Sequence, residues 1–416
     1  MSGLCRERRD KLKKLIPKLR KETETAFEVR FKSLGIFTQC SKSHSHTIEC
    51  YLRPVRNNEL SEKEIETRQS ILAAIEREKQ GFEAKEPERT QKAINRYIQG
   101  CAYTLINKLS AIKAMELRGL FEETVTKRDK YEGLSFREYK IRRKQPGIAP
   151  DQLIEEALNE AFSDAAKEIT MIFDTHPYGY TLPRVADLKK IVAMLNDEIT
   201  EEDWLADDIL GWIYQFWNEE ARRQYRTGRG RGSRKAPEAD DIPVINQLYT
   251  PHWVVKVLTD NTLGRLWLEM NGRCPWRGAT HLVNKPEDET VDTFCSYLVP
   301  LPSEPQKVEL KHPKEIKVLD PACGSGHFLI YAFEVFWRIW REVEPSLEPE
   351  EIARNILKFN LYGIDIDLRA TQLAAVGLYL KAKELIENEL RKRNMSQHEI
   401  TTVSYTHLTL PTTERV

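Results

Sequence analysis

The sequence predicts an α/β fold over its C-terminal half, preceded by a mostly α-helical N-terminal region, and three observations carry this reading. Two short apolar runs, Val318-Leu319 and Leu361 to Ile364, each end in an acid, Asp320 and Asp365, with helical sequence between them. That order is a βαβ unit, whose two strands lie parallel. A glycine-rich turn follows the first run, in Lys317-Val-Leu-Asp-Pro-Ala-Cys-Gly-Ser-Gly-His-Phe-Leu-Ile330. Upstream, the first 230 residues carry apolar positions at helical spacing and almost no alternating runs.

Shifts in composition set the boundaries. Residues 1–225 read as a helical N-terminal domain, 226–240 as a basic linker, 241–393 as an incomplete α/β domain, and 394–416 as a tail of different character. In the helical part, Leu12, Leu15, Ile16 and Leu19 form one stripe, and Ile98, Cys101, Ala102, Leu105, Leu109 and Ile112 a second. A third is Leu153, Ile154, Ala157, Leu158, Ala161, Phe162 and Ala165. These are core faces, and the charged residues opposite them are expected in solvent.

Lysine plus arginine equals aspartate plus glutamate at 64 each, so any nucleic-acid affinity must come from local patches. One patch is Arg222-Arg-Gln-Tyr-Arg-Thr-Gly-Arg-Gly-Arg-Gly-Ser-Arg-Lys235. It could contact phosphates, but with Tyr225 as its one aromatic it reads more readily as a flexible basic linker. The seven cysteines, with no signal peptide ahead of them, point to free thiols in a reducing bacterial or archaeal cytoplasm. No run approaches the roughly 18 apolar residues needed to span a bilayer, so no membrane partner is expected. Cys40, His44, His46 and Cys50 are potential zinc ligands, but their spacing fits no common finger, so a surface turn is the favoured reading and no metal site is expected.

Gln247-Leu-Tyr-Thr-Pro-His-Trp-Val-Val-Lys-Val-Leu258 opens the C-terminal domain. Thr250 is placed at a helix N-cap and Pro251 at the first helical position. A proline-rich stretch, residues 271–312, then reads as an insertion leaving the fold. Its Glu309-Leu-Lys311 has the Glu-x-Lys form of some nucleases, but with no acidic partner upstream it reads as an ordinary lead-in to a strand.

In the glycine-rich turn, Gly324 and Gly326 allow a backbone path and a close ligand approach that a Cβ resists. An acid on the second strand, Asp365, is placed to meet ribose hydroxyls at the carboxyl edge of a parallel sheet, with Asp367 the less favoured choice. A dinucleotide fingerprint wants a third glycine where Leu329 stands, and the Gly-Lys-Ser/Thr of a phosphate-gripping loop is missing. Cys323 is read as turn packing, since the Pro-Cys pair of a cytosine methylase does not occur.

The Asp-Pro-Ala-Cys-Gly-Ser-Gly run with Asp365 downstream resembles motifs I and II of amino-methyltransferases that use S-adenosylmethionine. Tyr249-Thr250-Pro251 upstream resembles motif X of the γ-type adenine-N6 DNA methyltransferases. Asp208-Ile-Leu-Gly-Trp-Ile-Tyr-Gln-Phe-Trp217, Ile242 to Pro251, Leu263 to Leu268 and Ala102 to Glu116 look like segments of the BREX phage-resistance adenine methyltransferases of the PglX type. The resemblance implies an incomplete Rossmann-like S-adenosylmethionine-dependent methyltransferase domain. By it, Asp320, Ala322, Gly324, Ser325, Gly326, Asp365 and Ile366 would bind the cofactor, with Tyr249, Thr250 and Pro251 at its methionine end. Double-stranded DNA and other proteins of the defence system are the implied partners.

The implied chemistry is methyl transfer to adenine N6 in a base flipped from the duplex. Family members use an Asn/Asp-Pro-Pro-aromatic motif to accept hydrogen bonds from the amine as positive charge develops on it. No such motif occurs in this sequence, so no catalytic residue is assigned and the chain alone is expected to be inactive. The threonine-rich tail, Thr401 to Thr413, resembles a translated sequencing adapter and suggests a truncated reading frame. Two rival readings stay open: a non-catalytic cofactor-binding or DNA-contacting fragment, and an amino-methyltransferase acting on RNA or protein.

Overall fold

The computed structural model describes residues 3–39, 48, 51–53, 60–174, 177–220, 222–223, 249–275, 290–305 and 308–393. They divide into two compact units, one of residues up to Ala166 together with Ile172–Ile209, the other of Lys167–Met171 together with the chain from Leu210 onward. The Cys40 to Cys50 cluster, nearly all of the basic stretch after Arg223, and residues 394–416 lie outside the described residues.

The first unit is helical: α1 (Arg6–Ser33), α2 (Glu62–Lys79), α3 (Glu88–Leu117), α4 (Phe136–Lys144), α5 (Pro150–Ala166), the end of α6 (Thr170–Phe173), α7 (Val185–Asp197) and α8 (Glu201–Leu205). The three apolar stripes do form its core, with Phe162 alone among them only half-buried. The helix α3 is central, packed by α1, α2, α5 and α8.

The expectation that charged residues opposite the stripes face solvent fails on α3, where Lys108, Lys113 and Glu116 are all buried. From Gly100 to Glu116 every residue of α3 is buried, so this part of the helix has no solvent face, and these groups are instead hydrogen-bonded internally. The Glu116 carboxylate accepts from the backbone N–H groups of Thr124, Val125 and Thr126 at 2.5, 2.7 and 2.9 Å. The Thr126 hydroxyl donates to it at 2.7 Å, and Lys113 donates to that hydroxyl at 2.8 Å and to Asn196 at 2.7 Å.

The second unit begins within α9 (Ile209–Trp217) and continues through α10 (His252–Thr259), a π-helical turn (Asp260–Gly264), α11 (Arg265–Met270) and α12 (Val291–Phe294). Then come β1 (Val318–Asp320), α13 (His327–Val343), α14 (Pro349–Asn355), a second π-helical turn (Ile356–Asn360), β2 (Leu361–Gly363) and α15 (Leu368–Lys392). The strands pair in parallel, Val318 opposite Leu361 and Asp320 opposite Gly363, as the two acid-tipped runs require.

Asn360, fully buried, fixes that register. Its side chain donates to the carbonyls of Pro313 and Ile316 at 2.7 and 2.8 Å, and accepts from Trp340 of α13 at 2.9 Å. The lead-in to β1 is thereby tied to the residue before β2. One face of the pair lies on α13, where a Cβ at Gly363 would meet Leu329 at 2.7 Å. The other face shows Leu319, Tyr362 and Ile364 to solvent at 57, 42 and 59% exposure.

Two further expectations shift. Helix α10 starts one residue later than expected: Pro251 is its N-cap, with ψ at 138°, and no side chain caps it. Thr250 therefore stands outside the helix and cannot serve as the cap. Arg222, the first residue of the arginine- and glycine-rich run, is buried and donates to the Gln215 carbonyl at 2.6 Å, so it has no part in a flexible linker.

Candidate cofactor site

The backbone leaves β1 at Asp320 and reverses before entering α13. The Asp320 carboxylate accepts from Ala322 N at 3.1 Å, which starts the turn. Cys323 N then donates to the Ile364 carbonyl at 2.9 Å, and Ile364 N to the Asp320 carbonyl at 2.9 Å, so the turn hangs from both strands. Gly324 and Gly326 both take positive φ, 53° and 82°.

The two glycines do different work. A Cβ on Gly324 would meet nothing within 4 Å, whereas one on Gly326 would lie 2.7 Å from Ala374 Cβ on α15. Gly324 thus borders open space, and Gly326 permits close packing. Gly326 is also the N-cap of α13, and no side chain closes that helix end.

Asp365 completes the turn in a way the sequence did not indicate. Its carboxylate accepts from Gly324 N at 2.8 Å and from Asp367 N at 2.8 Å, so the acid after β2 holds the glycine turn across 41 residues. Burial, with the Asp365 charge adding to it, raises the pKa of Asp320 above the usual carboxylate range, against the Ala322 hydrogen bond. The same burial, with both acids nearby, pushes the Cys323 thiol up to about 12. Cys323 is accordingly a protonated, buried packing group, as its reading from the sequence has it.

Tyr249 reaches this turn from the other side. Its ring meets His327 edge-on at 4.3 Å, and its hydroxyl lies 3.4 Å from His327 Nε2. Helix α9 makes room for it: a Cβ at Gly211 would stand 2.2 Å from the Tyr249 ring, Trp212 packs on it at 4.8 Å, and Gln215 accepts from its backbone N–H at 2.7 Å. Burial, then the nearby His252, lowers the pKa of His327 to about 3, so the ring is neutral.

Hydrogen bonds therefore pair Asp320 with Ala322 and Gly324 with Asp365, the two pairs being linked through Cys323 and Ile364, and Tyr249 touches His327, which directly follows Gly326. Thr250, Pro251 and Ser325 follow their neighbours along the chain, and Ile366 is 77% exposed beside the acids. Sequence reasoning missed His327, Gly211 and Tyr214. Burial first, then the charges of Asp367 and Asp365, raises the pKa of the Tyr214 hydroxyl and marks it as a neighbour of the site. A glycine within the apolar helical run Asp208 to Trp217 was the available signal, since such a glycine usually has a packing reason.

With a glycine turn at the carboxyl end of a parallel strand pair and an acid after the second strand, residues 306–408 match the family profile of the MmeI DNA-methyltransferase domain. That match runs past the last described residue into the stretch expected to be foreign. Over 314 residues the sequence is 29% identical to the adenine-specific methyltransferase BrxX of Escherichia coli O9:H4 (strain HS), covering 69% of this chain and 24% of that protein. Identity to the adenine-specific methyltransferase PglX of Lacticaseibacillus casei (strain Zhang) is 28% over 351 residues, 75% of this chain and 27% of that protein. A 69-residue segment, 17% of this chain, is 35% identical to 6% of PglX from Streptomyces coelicolor (strain ATCC BAA-471 / A3(2) / M145). The chain is thus similar to adenine-specific methyltransferases of the BrxX and PglX kind, and it spans about a quarter of the length of the first two.

Proposed function

We propose that this chain forms the S-adenosylmethionine-binding part of an adenine-specific DNA methyltransferase of a phage-defence or restriction-modification system. The observation that carries the reading is the Gly324 turn, open on its outer side and held by Asp365 at the carboxyl ends of β1 and β2. The residues suit the cofactor. An uncapped helix N-terminus offers N–H donors, Gly324 leaves space for close approach, and two acids stand beside exposed Ile366. Asp320, Ala322, Gly324, Ser325 and Gly326 would shape the cradle, Asp365 would accept from the ribose hydroxyls, and Ile366 would lie against the adenine. Tyr249, Thr250 and Pro251 would meet the methionine end.

S-adenosylmethionine supplies an activated methyl group when bound. The chain's own part is to bind and orient it. The 416 residues hold no Asn/Asp-Pro-Pro-aromatic motif, so transfer to adenine is assigned to the wider protein, with double-stranded DNA as its substrate. Among the described residues no helix is long and apolar enough to cross a membrane.

Calorimetric titration with S-adenosylmethionine tests the reading. The wild-type chain should bind, and Asp365→Ala should weaken binding at least tenfold, since a lost hydrogen bond to a charged group is worth about 1.5–3 kcal/mol. Equal affinity in the two proteins would remove the ribose role from Asp365. No binding by the folded wild type would remove the cofactor assignment.

A further inference from the structure

The helical unit holds a cavity of about 510 Å³, lined by residues of α1, α2, α3 and α5 together with Phe173, Asp174 and Tyr178 to Leu182. Its size lies within the ~300–1,000 Å³ that accommodates small organic ligands. Two groups on one face of α3, a turn apart, are unusual for a packing gap. Lys108 is 3% exposed, and its ammonium has one hydrogen bond, to the Phe173 carbonyl at 3.2 Å. Among the described residues no carboxylate lies within ion-pair distance of it, and its other contact is the Phe162 ring at 5.1 Å.

Thr104, 5% exposed, also lines the cavity, and its buried hydroxyl has no hydrogen-bond partner. An ammonium and a hydroxyl buried without full partners are each costly unless something completes them. The acids on the lining do not: Glu64 is engaged by Arg30 at 3.1 Å, and Glu155 and Asp174 are exposed. Asp174 still acts on Lys108 through space, partly offsetting the burial that lowers its pKa to about 8.

We infer that this cavity binds a small aromatic anion, its carboxylate or phosphate taken by Lys108 and Thr104 and its ring packed among Phe162, Phe173 and Tyr180. The lining thus sets an ammonium and a hydroxyl beside aromatic rings, with Arg30 and Lys63 adding positive charge and Glu64 offsetting it. Charge-assisted hydrogen bonds to the ammonium would supply the affinity, and aromatic contact the selectivity. The site belongs wholly to the helical unit, and it does not depend on the cofactor assignment.

Calorimetry on the whole chain tests it with naphthyl phosphate and naphthoate as probes, and naphthol and inorganic phosphate as controls lacking the anion or the ring. At least one aromatic anion should bind, about tenfold or more tighter than either control. Lys108→Met, which keeps the length of the side chain, should weaken that binding by about tenfold or more, and Asp365→Ala should leave it unchanged. Thr104→Val, nearly the same shape, should weaken it about fivefold and serves where the lysine variant does not fold. Failure of both aromatic anions to bind, equal binding of naphthol, or unchanged affinity in the folded variants would overturn the proposal.

Discussion

Replacing the two glycines of the cofactor turn one at a time separates a packing role from a ligand-facing one. In Gly326→Ala the new Cβ must sit at φ 82°, and its ideal position is 2.7 Å from Ala374 Cβ and 2.9 Å from Ala374 Cα. The left-handed conformation costs about 1–2 kcal/mol, and forcing a methyl into a packed contact costs a further ~1–3 kcal/mol. The expected loss is therefore about 2–5 kcal/mol. Gly324→Ala meets no atom within 4 Å at φ 53°, so it should lose only the conformational share of about 1–2 kcal/mol. Urea unfolding followed by tryptophan fluorescence reads both values, provided the transitions of the two units are fitted separately. Adding Ala374→Gly to Gly326→Ala relieves the Cβ contact but leaves the Cα at 2.9 Å, so the pair should fall short of additivity by about 1 kcal/mol. Equal losses at the two glycines, or strict additivity in the pair, would show that α15 does not lean on the turn as described.

Other expectations follow from the buried polar groups. Glu116→Gln should destabilise the helical unit by about 2–4 kcal/mol, because an amide NH₂ must then face N–H donors of Thr124, Val125 or Thr126. An unchanged urea midpoint for that unit would contradict the anchoring role. His327, neutral in the fold with a pKa held at about 3 by burial and His252, gains a proton near its ordinary 6.5 once unfolded. Stability is thus complete above that ordinary value and declines as pH falls toward 3, by up to roughly 3–5 kcal/mol at ~1.36 kcal/mol per pH unit. His327→Gln should flatten this acid dependence, measured as the urea midpoint between neutrality and pH ~4, and an identical slope in both proteins would refute the burial argument.

The helical stripes and β1 were legible in the sequence because each depends on local periodicity, and Ile16, Leu109 and Ala157 are fully buried as their spacing requires. The acid-tipped strands were legible for the same reason. What escaped was set by partners distant in sequence. Nothing near Lys108 or Glu116 tells that α3 is enclosed on all sides from Gly100 to Glu116. The grip of Asp365 on Gly324 joins residues 41 apart. Thr250-Pro251 is a sound helix-start signal that missed by one position, because Pro251 takes an extended ψ and itself becomes the N-cap. Tyr249 was read as a ligand contact, but its packing between α9 and His327 could not be seen without the fold.

Asp365 binds the turn on one side and Asp367 N on the other, and Asp367 in turn caps α15 by accepting from Arg369 N at 3.0 Å. The glycine turn and the start of a 25-residue helix are therefore successive links of one hydrogen-bonded chain. Such a chain opens and closes as a cooperative unit, so whatever occupies the turn also guards the amide protons at the head of α15. Slowed deuterium uptake at Ala370 to Leu373 would then report occupancy of the turn from outside the ligand's own footprint.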